Sequence, residues 1–264
     1  MGRVIVVTSG KGGVGKTTVS ANLGTALAML AHRTVIVDAD IGLRNLDLVM
    51  GLENRVVFNS LHVMEGECKL ESALVKDKRV ENLYLLAAPQ SRNKDDVDPE
   101  NMEKMVKQLS EKFDFVIIDC PAGIEQGFQN AVIGAKEALV IVTPEVSSVR
   151  DADRVIGLLQ ATGIESLSYV LNRLSQQLVD RGDMLSQPDV QEILRVPILG
   201  VIPEDHHITA STNVGKPLAI EGGTPAGDAF GRIARRVLGE KVPVPEFRYE
   251  GKMARFWKWI SGNN

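Results

Sequence analysis

Short apolar runs, rich in β-branched residues, alternate along this chain with longer stretches of helical period. The runs fall at residues 4–8, 34–38, 83–87, 115–119, 139–143, 168–172 and 198–202. Most are apolar at successive positions rather than at every second one. Both faces must therefore be covered, as in the strands of a parallel sheet packed between helices. Helical stretches lie at 17–30, 99–112, 147–159, 188–194 and 225–238. The second of these has Asp98 placed as an N-cap and Pro99 at the first helical position. The alternation predicts right-handed βαβ units, hence an α/β fold with a doubly wound, mostly parallel sheet flanked by helices. Residues 53–81 hold no sustained period and predict short helices.

Composition narrows the class. The 264 residues are 44% hydrophobic and 24% charged, with a net charge of -4, too apolar for global disorder. Two cysteines exclude a disulfide scaffold. No apolar run approaches the ~18 residues that would span a bilayer. The chain enters a strand-like run at Val4, which leaves no room for a signal peptide, and Val6 stands where a myristoylation motif needs Ser or Thr. A cytoplasmic protein is expected. The slight acidic excess argues against a bulk nucleic-acid binder, so no sequence-specific nucleic acid is expected as a partner.

The strongest local signal is Gly10-Lys11-Gly12-Gly13-Val14-Gly15-Lys16-Thr17, which fits G-x-x-x-x-G-K-[ST] between an apolar strand and a helix. Glycines let backbone N–H groups wrap phosphate oxygens without Cβ clashes, and the helix N-terminus adds partial positive charge. Lys16 is placed to reach the β- and γ-phosphates, and the Thr17 hydroxyl to ligate Mg²⁺. Nucleotide contacts are expected from Lys11, Gly12, Gly13, Val14, Gly15, Lys16, Thr17 and Thr18. Lys11 is a second lysine at the tip of the loop, where the loop itself does not require one.

Carboxylates complete the candidate site. Asp38 ends one strand and Asp40 follows two residues later. Carboxyl ends of parallel strands line the ligand crevice, so these groups are placed to hold Mg²⁺-bound water or to orient an attacking water. Asp119 ends a further apolar strand, the position of the aspartate that holds Mg²⁺ through water in phosphate-loop NTPases. Gly123, soon after it, supplies a flexible point. Cys68 and Cys120 show no C-x-x-C pairing, and the four histidines show no metal-site spacing.

The only compositional break lies near the end. Residues 1–239 read as the ATPase domain, 240–250 as a Pro-bearing linker and 251–264 as an amphipathic membrane-targeting segment. At ~100° per residue, Met253, Phe256, Trp257 and Ile260 share one stripe. Lys252 and Trp259 flank it, while Arg255 and Lys258 point away. Both tryptophans of the chain lie here, with three basic and no acidic residues from Gly251 onward. That combination suits a helix lying on anionic lipid. Four apolar side chains at ~1.5 kcal/mol each and three cations at ~1 kcal/mol each roughly offset the cost of ordering ten residues at ~1 kcal/mol or more apiece. One such helix is near break-even, and two on a dimer act together.

These features together resemble the deviant Walker A ATPases, the ParA/MinD family, over nearly the whole chain. The matching strings are VTSGKGGVGKTT at 7–18, DADIGLRNLDLVMG at 38–51, DCPAGIE at 119–125, PEVSSVRDADR at 144–154, RGDMLS at 181–186 and GVIPED at 200–205. GLRNLD and PEVSSVRDADR resemble the branch that positions the division septum. The resemblance implies an ATPase that binds ATP and Mg²⁺, forms a face-to-face homodimer, and hydrolyses ATP slowly under stimulation by a partner and the membrane. Lys11 would cross to the partner's phosphates. Asp40 would position the hydrolytic water with support from Asp38, and Asp119 would stand on the Mg²⁺ side. Asn172 would read adenine, with Arg173, Pro203 and Asp205 near the base. Ser148, Asp151 and Asp153 would form the surface for a MinC-like division inhibitor and a MinE-like activator. The resemblance also implies attachment to the cytoplasmic face of the inner membrane. A flagellar-placement ATPase and a ParA-like partition ATPase remain the alternative readings.

Overall fold

A computed structural model describes residues 1–41, 44–90, 98–121, 123 and 126–245. Eight strands form one sheet: β1 (Arg3–Thr8), β2 (Thr34–Asp38), β3 (Val75–Lys76), β4 (Leu83–Leu86), β5 (Phe115–Asp119), β6 (Glu137–Val142), β7 (Ser166–Leu174) and β8 (Ile198–Pro203). Their spatial order is β3-β4-β2-β5-β1-β6-β7-β8. Every pairing is parallel except β3 with β4.

The double burial of each strand explains the unbroken apolar runs. In β1, Val4 and Val6 enter the core on one face and Ile5 and Val7 the core on the other. In β5, Val116 and Ile118 take the first face, Phe115 and Ile117 the second. The first face is covered by α5 (Pro99–Lys112), α6 (Gln126–Val132), α7 (Val146–Ala161) and α9 (Gln187–Leu194). The second is covered by α1 (Lys16–Met29), α2 (Leu46–Met50) and α11 (Pro225–Val237). In α5, Met102, Met105, Val106 and Leu109 form the buried stripe, and the Asp98 carboxylate accepts from Glu100 N, as an N-cap should.

Residues 53–81 hold the expected short helices: a 3₁₀ turn (Glu53–Arg55), α3 (Ser60–Met64) and α4 (Leu70–Ala73). They also hold β3, which the periodicity does not announce. Three further short helices, α8 (Gln176–Arg181), α10 (His206–Asn213) and the loop-borne α2, lie in segments read as connections.

Beyond α11, residues 240–245 carry neither helix nor strand. The Arg236 guanidinium donates to Leu199 O of β8, 2.9 Å away, and to the carbonyls of Val242 and Pro243. The chain leaving α11 is thereby tied to the edge of the sheet. Lys252, Met253, Arg255, Phe256, Trp257, Lys258, Trp259 and Ile260 lie outside the described residues, as do residues 246–250 of the linker. Among the described residues, no helix is long and apolar enough to cross a membrane.

Candidate functional site

Strands β2, β5 and β1 are neighbours, so their carboxyl ends open side by side. Asp38 and Asp119 are register partners across β2 and β5, and Val7 of β1 pairs with Asp119. The loop between β1 and α1 rises beside them. Backbone bonds join the three loops: Ala39 N donates to Asp119 O at 3.0 Å, Cys120 N to Val7 O at 3.0 Å, and Gly123 N to Ser9 O at 3.3 Å. The sheet topology thus assembles the aspartates and the glycine loop that lie far apart in sequence.

Within the loop, Gly15 is the N-cap residue of α1 at φ 97°, a left-handed conformation that a side chain would strain. Ser9, which sequence reasoning missed, is the internal brace. Its Oγ donates to Lys11 O at 2.7 Å and accepts from Lys16 Nζ at 3.1 Å. Ser20 is a second omission. It lies one turn beyond Thr17 and donates to Asp119 Oδ1 at 2.9 Å. Its spacing on α1 was the available signal, since i and i+3 share a helix face.

The electrostatics are those of an acidic cluster short of cations. Burial pushes the Asp119 carboxyl up to about 6, opposed by hydrogen bonds from Thr17 and Ser20 and by the Lys16 charge. Burial and then the adjacent Asp119 push Asp38 up to about 8, although Asp38 accepts from Asp40 N at 3.0 Å and Leu46 N at 3.3 Å. Burial lowers Lys16, against the favourable charges of Asp119 and Asp40. A hydroxyl, several carboxylates and one lysine, beside a glycine loop that opens a helix, fit a polyphosphate carrying a hard, oxygen-seeking cation. Thr17 and Asp119, the two expected cation ligands, are hydrogen-bonded to one another.

Lys11 is exposed, and its Nζ lies 3.2 Å from both Glu145 Oε2 and Ser147 Oγ of its own chain. Thr18 is half-buried, with its carbonyl accepting from Asn22. Asn172 is buried below the loop, and Nδ2 donates to Val14 O at 2.8 Å. Arg173 follows in the left-handed region at φ 58°. Pro203 ends β8. Asp205 caps two helices at once, accepting from His207 N at 2.9 Å and Ala226 N at 3.2 Å, and its Oδ1 pairs with His207 Nδ1 at 2.7 Å. With His206 these residues bring candidate ligand atoms within 4.8 Å of one another, a cluster that sequence spacing did not reveal. The carboxylate is already committed to the two helix ends, and the positive end of α10 disfavours a cation there.

One expected surface residue is corrected. Ser148 is only 2% exposed, because its Oγ turns inward to accept from Thr143 N at 3.0 Å at the end of β6. Burial removes it from any contact surface of the chain as it stands. Asp151 and Asp153 on the same helix are accessible. Cys120 is buried and Cys68 half-buried, both as free thiols.

Comparison with known proteins follows the same lines. The family described as the CobQ/CobB/MinD/ParA nucleotide binding domain matches residues 5–218. The septum site-determining protein MinD of Synechocystis is 54% identical over 248 residues, 94% of this chain and 93% of its own. The MinD chain of the MinC:MinD cell division complex of Aquifex aeolicus superposes with a TM-score of 0.87 at 47% identity, covering 93% of this chain and 99% of that one. The septum site-determining protein MinD of Pyrococcus horikoshii, solved with Mg-ADP, gives 0.82 at 33% identity, covering 92% and 100%. The glycine loop on β1, the aspartates ending β2 and β5 and the full-length likeness together place this chain in the CobQ/CobB/MinD/ParA nucleotide-binding family, in its septum site-determining MinD branch.

Proposed function

We propose that this protein is an ATP-dependent, dimerising ATPase that places the division septum from the membrane surface. The carrying observation is the convergence of Lys16, Asp38, Asp119 and the glycine loop at three adjacent strand ends. The loop amides and Lys16 bind the phosphate chain. Mg²⁺ arriving with the nucleotide would supply the positive charge that the carboxylates lack, held by Thr17 and, through water, by Asp119. Asp40, on the loop beyond β2, orients the attacking water, with Asp38 bracing the Asp40 backbone. Lys11 reaches the phosphates of a second copy once it leaves Glu145. The accessible Asp151 and Asp153 of α7 offer the face for a MinC-like inhibitor and a MinE-like activator.

Residues 1–239 form the ATPase unit, 240–250 the linker and 251–264 the lipid-binding segment on the cytoplasmic face of the cell membrane. ATP-driven pairing presents two weak lipid-binding segments together, and hydrolysis separates them. Sedimentation with anionic phospholipid vesicles tests the reading. Pelleting is expected with ATP and not with ADP or without nucleotide. Equal pelleting in all three conditions, or none with ATP, would remove it.

A further inference from the structure

We infer that Asn172 is a positioning residue of the phosphate loop, its side-chain amide holding the Val14–Gly15 turn from which α1 starts. This rests on the reading of that loop as the nucleotide site and adds to it a residue 158 positions away in the chain.

Three observations meet at this side chain. Its Nδ2 donates to Val14 O at 2.8 Å. The residue is 4% exposed, so this hydrogen bond is shielded from water, and losing it would leave a buried carbonyl unmatched. A Cβ built on Gly15 would stand 2.5 Å from the same Nδ2. Glycine at 15 therefore serves twice, allowing the left-handed turn and letting the amide approach the backbone.

The backbone around Asn172 is arranged for that approach. The β7–β8 register slips between Asn172 and Leu174, and Arg173 between them adopts φ 58°. A bulge of this kind re-aims a side chain, and a non-glycine residue held at positive φ costs energy that the surroundings must offset. The other end of the loop is wedged as well: a Cβ on Gly10 would lie 2.3 Å from the Asp151 backbone of α7. The loop is thus gripped at both ends by elements from the second half of the chain. The Asn172 Oδ1 is buried without a hydrogen-bond partner among the described residues, leaving an acceptor for a ligand while the donor stays on the loop.

The test is amide hydrogen exchange on the nucleotide-free protein, where no base is present to be read. Asn172→Leu and Asn172→Asp are both close in shape, and neither carries the amide donor. Exchange in a peptide spanning residues 10–18 should rise about five- to tenfold, the size of one ordinary hydrogen bond, with β5 unchanged. Unchanged exchange at 10–18 in a folded variant overturns the inference. So does a rise spread equally over β1 and β5, which would mean general destabilisation. A wild-type titration with MgATP is run separately. Absence of binding there would remove the nucleotide reading and leave the exchange result standing on its own.

Discussion

Lys11 Nζ sits 3.2 Å from Glu145 Oε2, so the lysine at the tip of the phosphate loop is held by its own chain at the start of α7. Both side chains are well exposed, and such a pair contributes about 0–1 kcal/mol. Opening it is therefore a small barrier to pairing. Glu145→Gln should strengthen ATP-dependent dimerisation by no more than about fivefold. Lys11→Ala should abolish the dimer while leaving the monomer's ATP affinity within a few-fold of wild type. Size-exclusion chromatography with ATP reads both, and an undiminished dimer peak for Lys11→Ala would exclude a role across the interface.

Asp38 carries a signed pH dependence. Its carboxyl titrates near 8 in the folded chain, above its unfolded value. The folded state therefore holds the proton more tightly, and its stabilising effect is full at low pH and lost as pH rises through 8. Asp38→Asn cannot ionise. In metal-free, nucleotide-free protein its melting temperature relative to wild type should be higher at pH 8.5 than at pH 5.5, by at least roughly 2–4 °C for each kcal/mol involved. A difference independent of pH would show that Asp38 is ionised throughout.

Asp40→Ala leaves the glycine loop, Lys16 and Asp119 in place. ATP should bind with near-native affinity, while turnover falls at least about a hundredfold, the lower end for a missing general base. The variant should accumulate as an ATP dimer on vesicles. Phosphate release at the wild-type rate would leave Asp40 without a part in hydrolysis.

Trp257→Glu sets a charge in the apolar stripe and an anion against anionic lipid, two penalties of one sign. Vesicle sedimentation should be lost, with ATP binding and melting temperature retained. A large fall in melting temperature with lipid binding intact would instead mean that the segment packs on its own domain.

The pattern of apolar residues was enough to locate the strands that matter here, because double burial leaves an unbroken run such as Phe115–Asp119. Two-residue β3 left no period to read, and six-residue α8 is too short to show one. The glycine loop and the aspartates were legible because their chemistry is local to a strand end. Ser148 was misread for the converse reason. It borders the buried stripe of Val149, Ala152, Val155, Ile156 and Leu159, and its hydroxyl faces the backbone of Thr143 rather than solvent. The grip of Asn172 on Val14 could not be read at all, since only the sheet brings β7 beside the loop.

The Arg236 guanidinium, fastened to Leu199 O at the sheet edge and to the carbonyls of Val242 and Pro243, fixes where a tether begins. From Pro243 to Lys252 the chain can reach at most about 30 Å even when fully drawn out. On the proposed function, a lipid-bound segment on so short a leash would dictate the pose of the body above it. Each subunit of a membrane-bound pair would have to hold its Pro243 corner within that distance of the lipid, and the bilayer would select dimers whose two corners lie on the same side.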